Sequence, residues 1–173
     1  MQGVARQTMN TDEGLFAAVL GPLLNPGYRL ACAMLPDPQA AEDVVQNASL
    51  IAWRKLGRLQ EPDRVRAWFL GIVANECRNT GRRRWSRSVR LGLPPIHAVS
   101  SGEEQSVARA DLREALHRLS YEDRLAVSLY FYLDMPLAEV AAVAGKSLDA
   151  TRKRLYRAIR RLRPDLEIEE SLR

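Results

Sequence analysis

Metal ligands and thiols are scarce in this sequence. Its 173 residues hold two cysteines, Cys32 and Cys77, and two histidines, His97 and His117, with no CxxC or HxxxH pair among them. A zinc finger or ribbon needs such pairs at fixed spacing, and a small disulfide framework needs a denser set of cysteines. Two free thiols in a reducing compartment are expected instead. Aromatic residues make up only 6%. Alanine, leucine and arginine abound, a mix that favours helix over strand. No apolar run approaches the roughly 20 residues that span a bilayer, and the N-terminus has no apolar segment followed by a small-residue cleavage site. A cytoplasmic protein without membrane insertion is expected. There is also no paired-carboxylate motif and no Ser/His/Asp arrangement. An enzyme is therefore disfavoured, and neither a cofactor nor a metal is expected.

What the chain has is 46% hydrophobic and 27% charged residues, which suits a folded soluble protein. The net charge of +5 is modest, but it is unevenly spread. From Lys146 to Arg163 eight basic residues face one acid, Asp149, whereas residues 164–173 carry four acids and one base. A second basic run, RRRWSRSVR, spans residues 82–90. Such local asymmetry points to a polyanion contact.

Residues 1–11 read as a loose leader. Apolar residues then recur at threes and fours, at Leu15, Phe16, Val19, Leu20, Leu23 and Leu24, which is helical spacing. Pro26 and Gly27 are expected to interrupt this helix. A second stripe follows in YRLACAML, and PDP at residues 36–38 is a break. Asp37 is placed to cap the next helix, with Pro38 in its first turn. That helix, QAAEDVVQNASLIAWRKL, has Val44, Val45, Ala48, Ile51, Ala52 and Leu56 on its inner stripe. Glu42, Asp43, Gln46 and Asn47 lie on the other side. After the turn-rich GRLQEPDR comes VRAWFLGIVANECRNTGRRR, apolar at Trp68, Phe69, Ile72 and Val73. Gly71 within it costs about 1 kcal/mol relative to alanine, so close packing or a bend is expected there. The helix is expected to fade near Gly81. From Ser86 to Ser106 periodicity is lost, and these 21 residues read as a flexible linker, long for a loop within one domain.

Helices resume at Val107, where Ala108, Leu112, Leu116 and Leu119 share a face. Ser120 is placed to cap YEDRLAVSLYFYL, with Asp123 three residues on, a variant of the capping box. Pro136 then starts a short helix with Leu137, Val140, Ala141 and Ala144 inward. Gly145 makes a turn, and Ser147 caps a longer helix with Leu148, Thr151, Leu155, Ile159 and Leu162 inward. Pro164 stops it. The expected fold is all-α: two small helical domains, residues 12–85 and 107–173, joined by a flexible linker over residues 86–106.

Short helix, glycine turn and longer helix form a helix-turn-helix pattern. The inward stripe leaves Asp149, Arg152, Lys153, Tyr156, Arg157 and Arg160 off the core. Arginine pairs bidentately with guanine in the major groove, worth about 1–3 kcal/mol of discrimination per good pair. The other basic side chains would hold phosphates, which position a helix without reading sequence. A solvated basic helix is the plain alternative, and Arg160, Arg161 and Arg163 also suit the negative end of the helix dipole.

Three blocks stand in order: DPQAAEDVVQNASLIAW, then VRAWFLGIVANECRN with RRR, then LAEVAAVAGKSLDATRKRLYRAIRRLR. Together they resemble the bacterial sigma-70 family of transcription initiation factors, and within it the short extracytoplasmic-function (ECF) group. The likeness covers about residues 12–85 and 107–163. It implies that the first domain is a sigma region 2 bundle and the second a sigma region 4 helix-turn-helix. The implied partners are core RNA polymerase and promoter DNA, and an anti-sigma factor is compatible with them. The resemblance implies polymerase docking by Glu42, Asp43, Gln46 and Asn47, with Arg54 nearby. It implies capture of the melted minus-ten element by the loop 57–66 and the helix after it, with Asn75, Arg78, Arg82, Arg83 and Arg84 following the strand. It implies minus-thirty-five recognition by Lys146, Ser147, Asp149, Ala150, Arg152, Lys153, Tyr156 and Arg157. Trp53 and Trp68 read as core, and Trp85 is placed to stack on a base. This chain departs from the family at Lys146, where an apolar residue is common, at Ala150–Thr151, and at Gly71 and Ala74, where arginines are frequent.

Two other classes compete. A stand-alone helix-turn-helix regulator accounts for residues 145–162 but leaves the AEDVVQ helix and the RRR block idle. A pure protein-interaction module would bind another regulator through its helices, and regulation by an anti-sigma partner is compatible with the sigma reading as well.

Overall fold

The computed structural model describes residues 2–59, 61–91 and 107–162. Among them every regular element is helical: α1 (Gln2–Met34), α2 (Pro38–Lys55), α3 (Val65–Leu91), α4 (Val107–Arg118), α5 (Tyr121–Val127), α6 (Leu137–Ala144) and α7 (Leu148–Leu162). Short 3₁₀ turns at Leu56–Arg58 and Pro62–Arg64 link α2 to α3, and a π-helical turn, Ser128–Tyr132, prolongs α5. The expected linker beyond Leu91 and the acidic tail lie outside the described residues.

The first bundle packs α1, α2 and α3 pairwise. Leu20, Leu23, Leu30, Ala31 and Met34 of α1 meet Val44, Val45, Ala48 and Ala52 of α2 and Phe69, Leu70, Val73 and Cys77 of α3 in the core. Asp37 caps α2 as its sequence position suggests, its carboxylate accepting the Gln39 N–H at 3.0 Å, with Pro38 as first residue. Burial pushes the Cys77 thiol up to about 12, and both cysteines are free thiols.

Three expectations for this bundle are corrected. First, α1 is not interrupted at Pro26–Gly27; it runs through Pro22 and Pro26 to Met34. An interior proline costs a helix about 3 kcal/mol, but breaking here would take Leu30, Ala31 and Met34 out of the core. Gly27 serves packing instead of turning: a Cβ on it would lie 2.9 Å from Phe69 Cε1. The helix also includes residues 2–11, read as a leader, which contain no proline to stop it. Second, α3 does not fade at Gly81 but continues ten residues to Leu91, so the first six residues of the expected linker are helical. Third, nothing lies within 4 Å of a Cβ built on Gly71, and nothing in the structure explains that glycine.

The second bundle is α4 to α7. Ser120 caps α5, its hydroxyl accepting the Asp123 N–H at 3.2 Å. After the π turn, Asp134 takes a left-handed φ of 51° and turns the chain into α6. Val140 and Ala141 of α6 and Thr151, Leu155, Ala158 and Leu162 of α7 are buried. Two expected inward residues are not: Leu112 and Leu148 are exposed, and Ala115 and Ala158 take the inner places. The two bundles contact each other through α3 against α6 and α1 against α5.

Gly27→Ala is expected to lower stability by about 1–3 kcal/mol through overpacking, read as a fall in thermal midpoint. Phe69→Leu added to it should recover part of that loss by emptying the space the ring occupied. An unchanged midpoint for Gly27→Ala would show that α1 and α3 are not in close contact there.

Candidate nucleic-acid interface

The turn between α6 and α7 is closed by backbone chemistry. Gly145, at φ 62° and ψ 40°, ends α6 in the left-handed region that glycine alone enters freely. Its N–H reaches the Ala142 carbonyl at 3.2 Å, and the Lys146 N–H reaches Ala141 at 3.0 Å, the paired bonds of a Schellman motif. Ser147 then opens α7, its hydroxyl accepting the Ala150 N–H at 3.2 Å and its carbonyl accepting the Thr151 hydroxyl at 2.9 Å. Lys146, Ser147, Asp149 and Ala150 are all exposed at this end.

Along α7 the buried stripe leaves Arg152, Lys153, Tyr156, Arg157 and Arg160 exposed on the far side. Tyr156, at 65% exposure, is an aromatic ring set among cations with no apolar cover. Arg152 bonds Asp149 at 3.1 Å on the surface. Two further arginines turn the other way. Arg154 meets Asp123 Oδ1 of α5 at 2.9 Å, and Arg161 meets Asp123 Oδ2 at 3.1 Å. Arg161 is therefore held by an acid of another helix, in addition to any interaction with the helix dipole. Arg163 lies outside the described residues.

The second basic face is on α3. Asn75, Arg82 and Arg83 are exposed, but Arg78 and Arg84 are half-buried and engaged. Arg84 bonds Asp37 at 2.6 Å, tying α3 to the cap of α2. Arg78 pairs with Glu122 of α5 and lies over the Tyr121 ring at 4.9 Å. The Trp85 side chain lies outside the described residues. On α2, Glu42, Asp43, Gln46 and Asn47 are exposed together. Leu50 and Trp53 continue that face at 57% and 40% exposure. Trp53 is thus not core; it packs on the Phe16 ring at 4.9 Å. Helical spacing already places positions 50 and 53 outward, but their apolar character argues for the interior from sequence.

The joint between the bundles has an apolar interior, since buried residues of both belong to one continuous cluster, and a set of polar contacts crosses it. The Tyr121 hydroxyl donates to the Ala74 carbonyl, and the Arg124 guanidinium lies 3.4 Å from the Met34 carbonyl. Arg29 donates to the Tyr132 carbonyl at 2.7 Å and stacks over its ring, while Arg66 donates to the Leu133 carbonyl at 2.6 Å. These two arginines satisfy carbonyls at the C-terminal end of the π turn, which the helix itself leaves open. Sequence offers no signal for them. Burial lowers the pKa of Arg124 from its ordinary value.

Comparison with known families places Sigma-70 region 2 on residues 20–87 and Sigma-70 region 4 on residues 109–162. The RNA polymerase sigma factor SigV of Bacillus subtilis is 29% identical over 83% of this chain and 86% of that protein. The ECF RNA polymerase sigma factor SigL of Mycobacterium tuberculosis is 28% identical over 81% and 82%. Among solved structures, the sigma factor RpoE bound to the anti-sigma factor NepR from Bartonella quintana superposes with a TM-score of 0.78 at 25% identity, covering 90% of this chain and 98% of that one. CnrH in complex with the cytosolic domain of CnrY gives 0.63 at 28% identity, covering 91% and 88%.

The Arg84–Asp37 pair has a titration consequence. The hydrogen bond from Arg84 holds the Asp37 carboxyl below its ordinary 3.8, with the Gln39 and Ala40 N–H groups assisting. Any stability from this half-exposed pair is present above about pH 4 and lost as the pH falls through the depressed midpoint. In Arg84→Ala the Asp37 midpoint, followed by carboxyl NMR, should rise toward 3.8. A midpoint that does not move would remove the pair.

Proposed function

The chain belongs to the sigma-70 family, in its extracytoplasmic-function group, and from that premise we propose how its surfaces share the work of directing RNA polymerase to promoters. A sigma factor does no covalent chemistry; it works by binding. The division we propose is residues 12–85 as region 2 and 107–173 as region 4. Supporting the region 4 assignment most directly is α7, whose inner stripe turns Arg152, Lys153, Tyr156 and Arg157 outward together. These would read the minus-thirty-five element, with Lys146, Ser147, Asp149 and Ala150 at the end that enters the groove. The α3 face of Asn75, Arg82 and Arg83, joined by Arg78 and Arg84 once these exchange their acids for phosphates, would hold the melted minus-ten strand. Flipping each base there costs a few kcal/mol, which protein contacts must offset. The α2 face of Glu42, Asp43, Gln46 and Asn47 would dock on core polymerase. Leu50 and Trp53 extend it with apolar area of the sort that anchors an interface.

Distance adds a requirement. The two promoter elements lie about 25 base pairs apart, roughly 85 Å at 3.4 Å per step. A compact chain of this size is only about 40 Å across. The packed bundles would therefore have to separate on the polymerase, giving up the apolar contact between them as well as arginine contacts that can be exchanged for phosphates. We further propose that the packed form accepts an anti-sigma partner, since it resembles sigma factors solved in such complexes over 90% of its length. Among the described residues no helix is long and apolar enough to cross a membrane, and we place the protein in the cytoplasm with its template.

The test is transcription in vitro with the purified chain, sigma-free core polymerase and a promoter library. Promoter-dependent start sites are expected; their absence, together with no binding to core, would overturn the reading. Arg157→Ala should change the ranking of minus-thirty-five sequences by about 5- to 150-fold at individual promoters. Arg83→Ala should weaken all promoters alike and reduce the salt slope by about one. Equal effects of the two would remove base reading from Arg157.

A further inference from the structure

Asp123 is the only charged residue among the described ones that is buried. Its position is fixed from below: Ser120 caps its N–H, and its neighbours Tyr121, Glu122 and Arg124 all anchor the same turn on the first bundle. Its carboxylate points at α7. Arg154 and Arg161 stand seven residues apart on α7, two turns and about 10 Å along the axis, on one face. Each takes one oxygen of the same carboxylate, at 2.9 and 3.1 Å.

Burying Thr151, Leu155, Ala158 and Leu162 keeps α7 against the bundle, but apolar burial has no direction. A roll of about 20° would leave much of that burial intact. It would also move a side chain at the helix rim, about 6 Å from the axis, by about 2 Å. That exceeds what a hydrogen bond to a base edge tolerates. Two charged bonds reaching one fixed acid from different points along the helix do oppose such a roll. We propose that Asp123 is a positioning residue for promoter reading: through Arg154 and Arg161 it sets the angle at which α7 presents Arg152, Lys153, Tyr156 and Arg157. It touches no DNA. The same acid keeps two arginines away from phosphates, so it also limits sequence-independent binding.

The inference rests on the assignment of α7 to the minus-thirty-five element, and the experiment separates the two. Full-length chain with core polymerase is compared on promoters that share a minus-ten element and differ at minus-thirty-five, over a range of salt. Asp123→Asn should reduce discrimination between the promoters about tenfold. It should also steepen the salt dependence of binding to non-promoter DNA by about one, because a freed arginine joins the phosphate contacts. Arg161→Gln, at a mostly exposed position that should not unfold the chain, is expected to reduce discrimination about threefold without steepening that slope. A thermal midpoint that falls while discrimination stays at the wild-type value would overturn the proposal, as would unchanged discrimination in Arg161→Gln if Asp123→Asn does not fold. If the wild type ignores the minus-thirty-five sequence, the assignment of α7 fails and the positioning role falls with it.

Discussion

Four consecutive residues at the start of α5 hold this structure together because a helix turns about 100° per residue. Tyr121, Glu122 and Arg124 reach Ala74, Arg78 and Met34 of the first bundle, while Asp123 reaches Arg154 and Arg161 of α7. One helical turn thus faces both α3 and α7. Ser120 makes that turn possible by taking up one of the N–H groups that a helix start leaves unpaired. The buried carboxylate is costly unless paired, so the fold that buries Asp123 must also bring both arginines to it.

The polar contacts between the bundles bear on the separation proposed on the polymerase. Arg29, Arg66 and Arg78 cross the joint, and each ends on an oxygen: two carbonyls and a carboxylate. A DNA phosphate offers an arginine an oxygen with more charge than either carbonyl. Contacts of this kind trade easily for others, whereas the apolar cluster that runs through both bundles does not. The Arg78–Glu122 pair is about one-third exposed on both sides, a setting in which ion pairs contribute little net stability. Separation then costs mainly the apolar contact of α3 with α6 and of α1 with α5.

Much of this was legible in the residues. Helical spacing places the inner stripes of α2 and α6, the caps Asp37 and Ser147 sit where their side chains suggest, and the outward set on α7 follows from the stripe alone. Pro26 and Gly27 are breakers by local propensity, yet α1 passes through them, because propensity is worth about 1–3 kcal/mol and the burial gained by continuing to Leu30, Ala31 and Met34 is worth more. At Gly81 no such burial follows, since Arg82 and Arg83 are exposed; a single glycine costs only about 1 kcal/mol and does not stop α3. Trp53 looks interior by composition but lies on an outward position of α2, whereas Leu148 shares the inner stripe of α7 by spacing and is exposed because it is the first residue of the helix.

By itself the sequence determined most of the helical segments, where most of them begin, and that two basic runs exist, since these depend on neighbours within one or two turns; it missed the helical residues 2–11 and 86–91. Which arginines are free to meet DNA was decided only by the tertiary structure. A guanidinium looks the same in the chain wherever it stands, and its partner lies far off: Asp37 for Arg84 at 47 residues, Glu122 for Arg78 at 44, and Asp123 for Arg154 at 31. Only folding brings those acids within reach, and so only folding separates the arginines that hold the protein together from those that face outward.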